Sequence, residues 1–144
     1  VTSPKTLLLS LRPRFAAAIL DGTKTIEIRR RPVNALPGTP VILYASSPVM
    51  AIVGTARLRT VESMPADMAW QRFQSSFALN RPEFDAYLDG VDTAVLLHLR
   101  AINTLNEPLP LRGLRQSGTF QPPQSFRYVA ASDPAPLHRL ALTA

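Results

Sequence analysis

Lys24 stands three residues before Glu27 and five before Arg29 in the stretch Gly22-Thr23-Lys24-Thr25-Ile26-Glu27-Ile28-Arg29-Arg30-Arg31. From Thr25 onward polar and apolar residues alternate, so Thr25, Glu27, Arg29 and Arg31 share one face of an expected strand while Ile26 and Ile28 pack on the other. A carboxylate and a guanidinium on one face can pair with each other or meet the donor and acceptor edges of a nucleobase. Lys24 falls at the turn into that strand, with Arg14, Arg29 and Arg30 nearby in sequence. Neighbouring cations or burial would lower its amine towards nucleophilic competence. An exposed turn lysine, or a phosphate ligand with its charge intact, is the simpler alternative. Glu27 is the group that would move a proton, or else it is one half of a structural pair.

Ser46 and Ser47 precede Pro48 in a turn and offer hydroxyl and backbone donors to an anion, although most such turns are only turns. Tyr44, at the end of an apolar run, is counted with the same cleft. Near the C-terminal end, Gln124, Arg127 and Tyr128 supply an amide, a guanidinium and an aromatic ring. These groups hydrogen-bond to and stack on unpaired bases, or they anchor the last segment while Phe126 fills the core. Arg57 and Arg59 share a strand face and extend the basic surface of Arg29, Arg30 and Arg31 if the strands are neighbours. Each phosphate contacted by such a surface contributes a salt slope of about 0.7 for a single strand. His98 lies in an apolar strand and His138 near the end, neither placed beside a serine and an acid, so a serine triad is not expected. The acidic residues show no ligand spacing for Mg²⁺ or Zn²⁺, and neither a metal nor a cofactor is expected.

The chain that must position these groups has 144 residues, 46% hydrophobic and 18% charged, with a mean hydropathy of +0.05. That fits one domain, read as residues 1–131 followed by a tail, 132–144. A chain of this length buries roughly 65–70% of its unfolded surface and needs no disulfide or structural metal. The absence of cysteine excludes thiol catalysis, iron–sulfur clusters and Cys-ligated zinc. Basic residues exceed acidic ones by six, and Lys5 and Lys24 are the only lysines. An arginine excess points to phosphate or nucleobase partners, or to codon drift in a GC-rich genome. No apolar run approaches the ~18 residues that span a bilayer, and Val1-Thr2-Ser3-Pro4-Lys5 lacks the regions of a signal peptide, so a cytoplasmic protein without membrane contact is expected.

Thr6 to Leu11 reads as a buried strand ended by Arg12-Pro13, and Arg14 to Asp21 as a short helix closed by Gly22. Thr25–Arg31, Val41–Ala45, Met50–Arg59 and Thr93–Ile102 read as further strands. Ala66 to Phe77 and Pro82 to Leu88 read as helices, with Asn80 in the cap region of the second, and Leu109 to Arg115 as one or two helical turns. The pattern describes a mixed α+β fold, a small barrel of about five strands with short helices at its ends.

Leu7 to Ala16 followed by Gly22 to Arg31 resembles the opening of the ASCH domain family, part of the PUA-like superfamily. The likeness continues through Val41-Ile42-Leu43-Tyr44-Ala45-Ser46-Ser47-Pro48-Val49. It ends in Pro122-Pro123-Gln124-Ser125-Phe126-Arg127-Tyr128, which is similar to the branch described as predicted regulators. The resemblance implies a PUA-like β-barrel with a cleft, in a superfamily that binds RNA or modified nucleic acid. Some ASCH relatives are ribonucleases, and a shorter branch deacylates N4-acetylcytidine. Lys24 matches the lysine that the deacylating branch uses, while Glu27 stands where that branch carries threonine and no counterpart of its downstream glutamate is found among Asp67, Glu83 and Asp85.

The expected function is therefore a nucleic-acid-binding domain that recognises RNA or a modified nucleotide in a basic cleft. The alternative is a metal-independent hydrolase, a ribonuclease or an N4-acetylcytidine-type amidohydrolase, in which Lys24 and Glu27 are catalytic. A third reading is a regulatory domain with a small ligand in its cleft and a protein partner on its surface.

Overall fold

The computed structural model describes residues 5–144. The reading that Val1–Lys5 lack the regions of a signal peptide falls, except for Lys5, outside the described residues. The elements run β1 (Leu7–Leu11), α1 (Pro13–Asp21), β2 (Ile26–Arg29), β3 (Pro40–Ala45), β4 (Ala51–Pro65), α2 (Ala66–Phe73), α3 (Arg81–Tyr87), β5 (Thr93–Pro110), α4 (Leu111–Gln116), β6 (Phe126–Tyr128) and α5 (Ala135–Thr143). A 3-10 turn at Gln74–Ser76 follows α2, which ends earlier than the expected Phe77.

Local chemistry accounts for several boundaries. Pro13 starts α1, where its missing N–H costs nothing, and Gly22 ends it with a φ of 88° that a side chain would resist. Asn80 and Glu83 form a reciprocal capping box at the start of α3, each side chain accepting from the other's backbone N–H.

The sheet has six strands in the order β2-β5-β4-β3-β1-β6. β1 runs parallel to β3, Leu7 opposite Val41 and Leu11 opposite Ala45; the other pairs are antiparallel. Register shifts after Ile52, Thr55 and Leu58 bend the long β4–β5 pair, as bulges do, and the sheet curls into a half-barrel. This corrects the expected closed barrel of about five strands: Phe126–Tyr128 adds a sixth strand on β1, and no ladder joins the edge strands β2 and β6 among the described residues. β4 and β5 also run past Arg59 and Ile102 to Pro65 and Pro110.

Alternation sends side chains to two buried faces. Leu7, Leu9, Leu11, Leu43, Leu58 and Leu97 fill the inside of the curl with Ile19 of α1. Outside, Ile26, Ile28 and Leu96 meet Phe77 and Phe84 in the region of α2 and α3. Leu8, Ile42, Tyr44 and Ile52 meet Leu111, Leu114, Phe120 and Leu137 beneath α4 and α5. Burying each such leucine contributes roughly 1.5–3 kcal/mol. Residues 132–144, expected as a tail, thus carry a helix whose Leu137 is fully buried. Among the described residues no helix is long and apolar enough to cross a membrane.

Candidate functional site: a polar seam closed by Arg29

Lys24 leaves the turn after α1 with its side chain directed inward and only 1% exposed. Its Nζ donates to the Phe77 carbonyl at 2.6 Å, lies 3.4 Å from Glu27 Oε1 and sits 5.0 Å from the Phe15 ring centre. Burial pushes this amine below the ordinary lysine range, Glu27 pulls it back up, and the Arg29 and Arg14 charges depress it further. The exposed turn lysine considered from the sequence is therefore an enclosed one.

Glu27 and Arg29 point into the curl from β2, 7% and 6% exposed. Glu27 Oε2 accepts from Arg29 Nη2 at 2.8 Å, and Oε1 accepts the Ile28 N–H at 3.0 Å. Arg29 then reaches across the open edge of the sheet. Its Nη2 donates to the Ser10 carbonyl at 3.1 Å, and its Nη1 donates to Ser125 Oγ at 2.9 Å and the Ser125 carbonyl at 3.2 Å. Because the Ser10 N–H donates to the same Ser125 carbonyl at 2.9 Å, one guanidinium joins β2, β1 and the segment entering β6. Side-chain hydrogen bonds thus cross the seam that no ladder closes. Arg29 Nε is buried without a partner. With Lys24 protonated, two cations face one carboxylate inside the protein, a balance that favours an incoming anion. Ser125 is exposed, so the polar line opens to solvent there.

The remaining candidates distribute unevenly. Ser46 lies at the same end of the sheet, its N–H on the Leu11 carbonyl at 2.8 Å and its own carbonyl accepting from Val49 and Met50. Ser47 and Gln124 are exposed, Gln124 next to Ser125. Arg14 is exposed and forked onto Glu83, with Nη2 3.0 Å from Oε1. Arg31 is exposed beyond the end of β2. Tyr44 is 3% exposed on the outer face, 6.3 Å from the Phe120 ring, and not in a cleft with Lys24. Burial raises its hydroxyl pKa and the Arg115 charge opposes that. Arg57 is engaged by the Ala144 and Gly38 carbonyls at 2.6 and 2.7 Å. Arg127 holds Asp133 at 2.7 and 2.9 Å, and Tyr128 donates to the Asn34 carbonyl. These last two anchor the C-terminal segment.

The structure thus assembles Lys24, Glu27 and Arg29 and adds three partners not singled out from the sequence: Ser125, the Ser10 carbonyl and the Phe77 carbonyl. Ser125 was within reach, inside the Pro122–Tyr128 motif. A cavity of about 620 Å³ between the Pro48–Met50 turn and α4 also presents Arg112 and Arg115, which had no sequence pattern to mark them. Among the described residues no cluster of His, Asp and Glu is suited to hold a metal ion.

A curled mixed sheet with helices on its outer face and a charged seam defines a small domain of the PUA-like class. The ASCH domain model matches residues 9–104, and the chain belongs to the ASCH domain family. It is 33% identical over 127 residues, 87% of this chain and 84% of the relative, to an ASCH domain-containing ribonuclease of Zymomonas mobilis. The crystal structure of ASCH from Zymomonas mobilis superposes with a TM-score of 0.85 at 29% identity, covering 98% of this chain and 96% of that one. A variant of it with a serine replaced by alanine gives 0.86 at 28% identity, covering 97% and 99%. The N-terminal domain of Staphylothermus marinus McrB shares the fold alone, with a TM-score of 0.58 at 10% identity and coverage of 96% and 93%.

Proposed function

We propose that this domain binds single-stranded RNA across the mouth of the seam and cleaves it as a ribonuclease. The observation that carries the reading is the buried Lys24–Glu27–Arg29 line ending at the exposed Ser125; the Zymomonas mobilis relative named as a ribonuclease supports it. A phosphodiester held at Ser125 meets the Arg29 guanidinium behind it, fixed by Glu27 and ready to stabilise charge that develops on the phosphorus oxygens. In the step we assign, a ribose 2′-oxygen bonds to phosphorus and gives its proton to water as the P–O5′ bond breaks and the 5′-oxygen takes a proton from water. Glu27 keeps Arg29 aimed, and Lys24, 3.4 Å from Glu27 Oε1, helps hold that carboxylate in place. Within the family we assign the chain to the branch carrying the Pro122–Tyr128 motif, whose Ser125 accepts from Arg29.

A second reading, hydrolysis of N4-acetylcytidine, is supported by the depressed Lys24 amine beside Glu27. One experiment separates the two. Anisotropy of a labelled single-stranded RNA is followed over time in a salt series, and N4-acetylcytidine is offered in a parallel reaction. The ribonuclease reading predicts an early rise that weakens with salt by about 0.7 in log–log slope per phosphate contacted, then a fall as short fragments appear. Constant anisotropy at every salt concentration and intact RNA would overturn it, and release of acetate from the nucleoside instead would establish the second reading.

A further inference from the structure

A separate cavity of about 320 Å³ opens on the outer face of the sheet, lined by Thr25, Ile26, Arg59, Phe73, Ser76, His98 and Leu99. It belongs to neither the seam nor the Pro48–Met50 turn. Its walls come from β2, β4 and β5 and from the end of α2 with its 3-10 turn, and it is open to solvent where Thr25 and Arg59 are exposed.

The placement of Arg59 is the informative feature. Leu58 pairs with Leu99 and Thr60 with His98, which leaves Arg59 as the extra residue of a bulge with no partner on β5. A bulge of this kind breaks alternation and re-aims one side chain. Here it places the exposed Arg59 in the cavity wall, and among the described residues Arg59 forms no ion pair. Opposite it stands His98, its side chain 14% exposed. Its Nε2 lies 2.8 Å from Glu62 Oε1 yet is buried without a hydrogen bond of acceptable angle. Glu62 is absent from the cavity wall, so the wall itself carries no carboxylate. Thr25 and Ser76 add hydroxyls. Phe73 stands edge-on to His98, ring centres 5.2 Å apart, and the Arg72 guanidinium lies 5.1 Å from the Phe73 ring at the rim.

One guanidinium, one imidazole, two hydroxyl-bearing residues and an aromatic ring, with a single carboxylate, Glu62, beside the imidazole, fit a phosphate monoester attached to a nucleoside. We propose that this cavity binds a nucleoside phosphate monoester, with the phosphate on Arg59, Thr25 and Ser76 and the sugar and base against Phe73 and His98. The ligand is a free mononucleotide or the terminal phosphate of an oligonucleotide. The site is independent of RNA cleavage at Ser125.

Calorimetric titration of the full chain tests it with four probes: adenosine 5′-monophosphate, adenosine, and tetrathymidylate with and without a 5′-phosphate. The expected result is one-to-one binding that requires the phosphate, loses about tenfold or more in Arg59→Ala and is unchanged in Ser125→Ala and in Arg139→Ala, an exposed arginine of α5 outside the cavity. Phosphate-dependent, Arg59-dependent binding of the mononucleotide supports a free ligand, and of the tetranucleotide alone a strand end. Ser76→Ala provides a second, milder reduction, with melting temperatures confirming that all variants fold. Binding that ignores the phosphate, or that is as tight in Arg59→Ala as in the wild type, overturns the proposal. Failure of RNA cleavage with this binding intact would count against the ribonuclease reading alone.

Discussion

Glu27→Gln isolates the charge that holds the seam together. Glutamine keeps the shape of the side chain and an oxygen for the Ile28 N–H, so the loss is that of the only carboxylate between Lys24 and Arg29. Both cations are almost fully buried, and removing one partner from a buried ionic group costs about 3–5 kcal/mol because the remaining charge stays desolvated. Unfolding entropy of about 2.1 cal/mol/K per residue over 144 residues converts that to a fall of roughly 10–17 °C in Tm at pH 7. Thermal unfolding followed by circular dichroism measures it. A second substitution, Lys24→Met, removes one orphaned cation and should return part of the loss, a coupling that a double-mutant cycle reads directly. A fall below about 3 °C for Glu27→Gln, or no recovery in the double variant, would refute the argument that the trio is a coupled charge network.

Three further outcomes are expected. The folded-state pKa of Lys24 is lowered, so the unfolded chain binds more protons between that value and the ordinary lysine range; stability contributed by this group rises with pH there. Lys24→Met should flatten that dependence in urea unfolding just below the ordinary lysine range, about pH 10, and an unchanged slope would contradict the burial argument. Glu83 is held at about 2, first by the Arg14 hydrogen bond and then by the Asn80 N–H. Its stabilising effect is therefore present above the ordinary glutamate range and lost as pH falls towards 2, and its carboxyl carbon resonance should titrate near 2 in the wild type and well above that in Arg14→Ala. Finally, a Cβ at Gly54 would lie 2.6 Å from Leu20 Cδ2 and 2.8 Å from the Asn103 carbonyl. The carbonyl belongs to the paired strand and cannot retreat, so Gly54→Ala should cost about 1–3 kcal/mol in urea unfolding, and wild-type stability would show that the two strands yield there.

Much of the fold was legible where local chemistry agrees with the outcome. Pro13 and Gly22 bracket α1, Asn80 and Glu83 cap α3, and the apolar runs of β1 and β3 are buried on both faces. The extensions of β4 and β5 were not legible. Thr60–Ser63 and Asn103–Pro108 are polar or proline-containing, and they are strand because they pair with a partner across the sheet or continue one that does. The final helix was hidden by Pro134 and Pro136, which suit a helix start as well as a tail. At the site, Lys24, Glu27 and Arg29 were visible because they lie on one short segment. Their contacts were not, since Phe77 and Ser125, the latter inside the Pro122–Tyr128 motif, are distant in sequence and meet the trio through backbone carbonyls and one hydroxyl. The position of Tyr44 was not legible for a related reason: an aromatic at a strand end gives no sign of which face it takes, and here Ile42 and Tyr44 face α4.

We propose that RNA is cleaved at the mouth of the seam, where Ser125 and Arg29 meet. The direct measurement is single-turnover cleavage of a labelled single-stranded RNA by wild-type protein and by Ser125→Ala, with binding measured in parallel. Ser125 is exposed and its backbone carbonyl still accepts from Ser10 and Arg29 in the variant. Loss of the single Arg29–Oγ hydrogen bond should therefore leave RNA affinity within a few-fold and lower the cleavage rate by about tenfold or more, the equivalent of ~1.4 kcal/mol in the barrier. Cleavage by Ser125→Ala at the wild-type rate would contradict the account and move the reaction elsewhere on the domain.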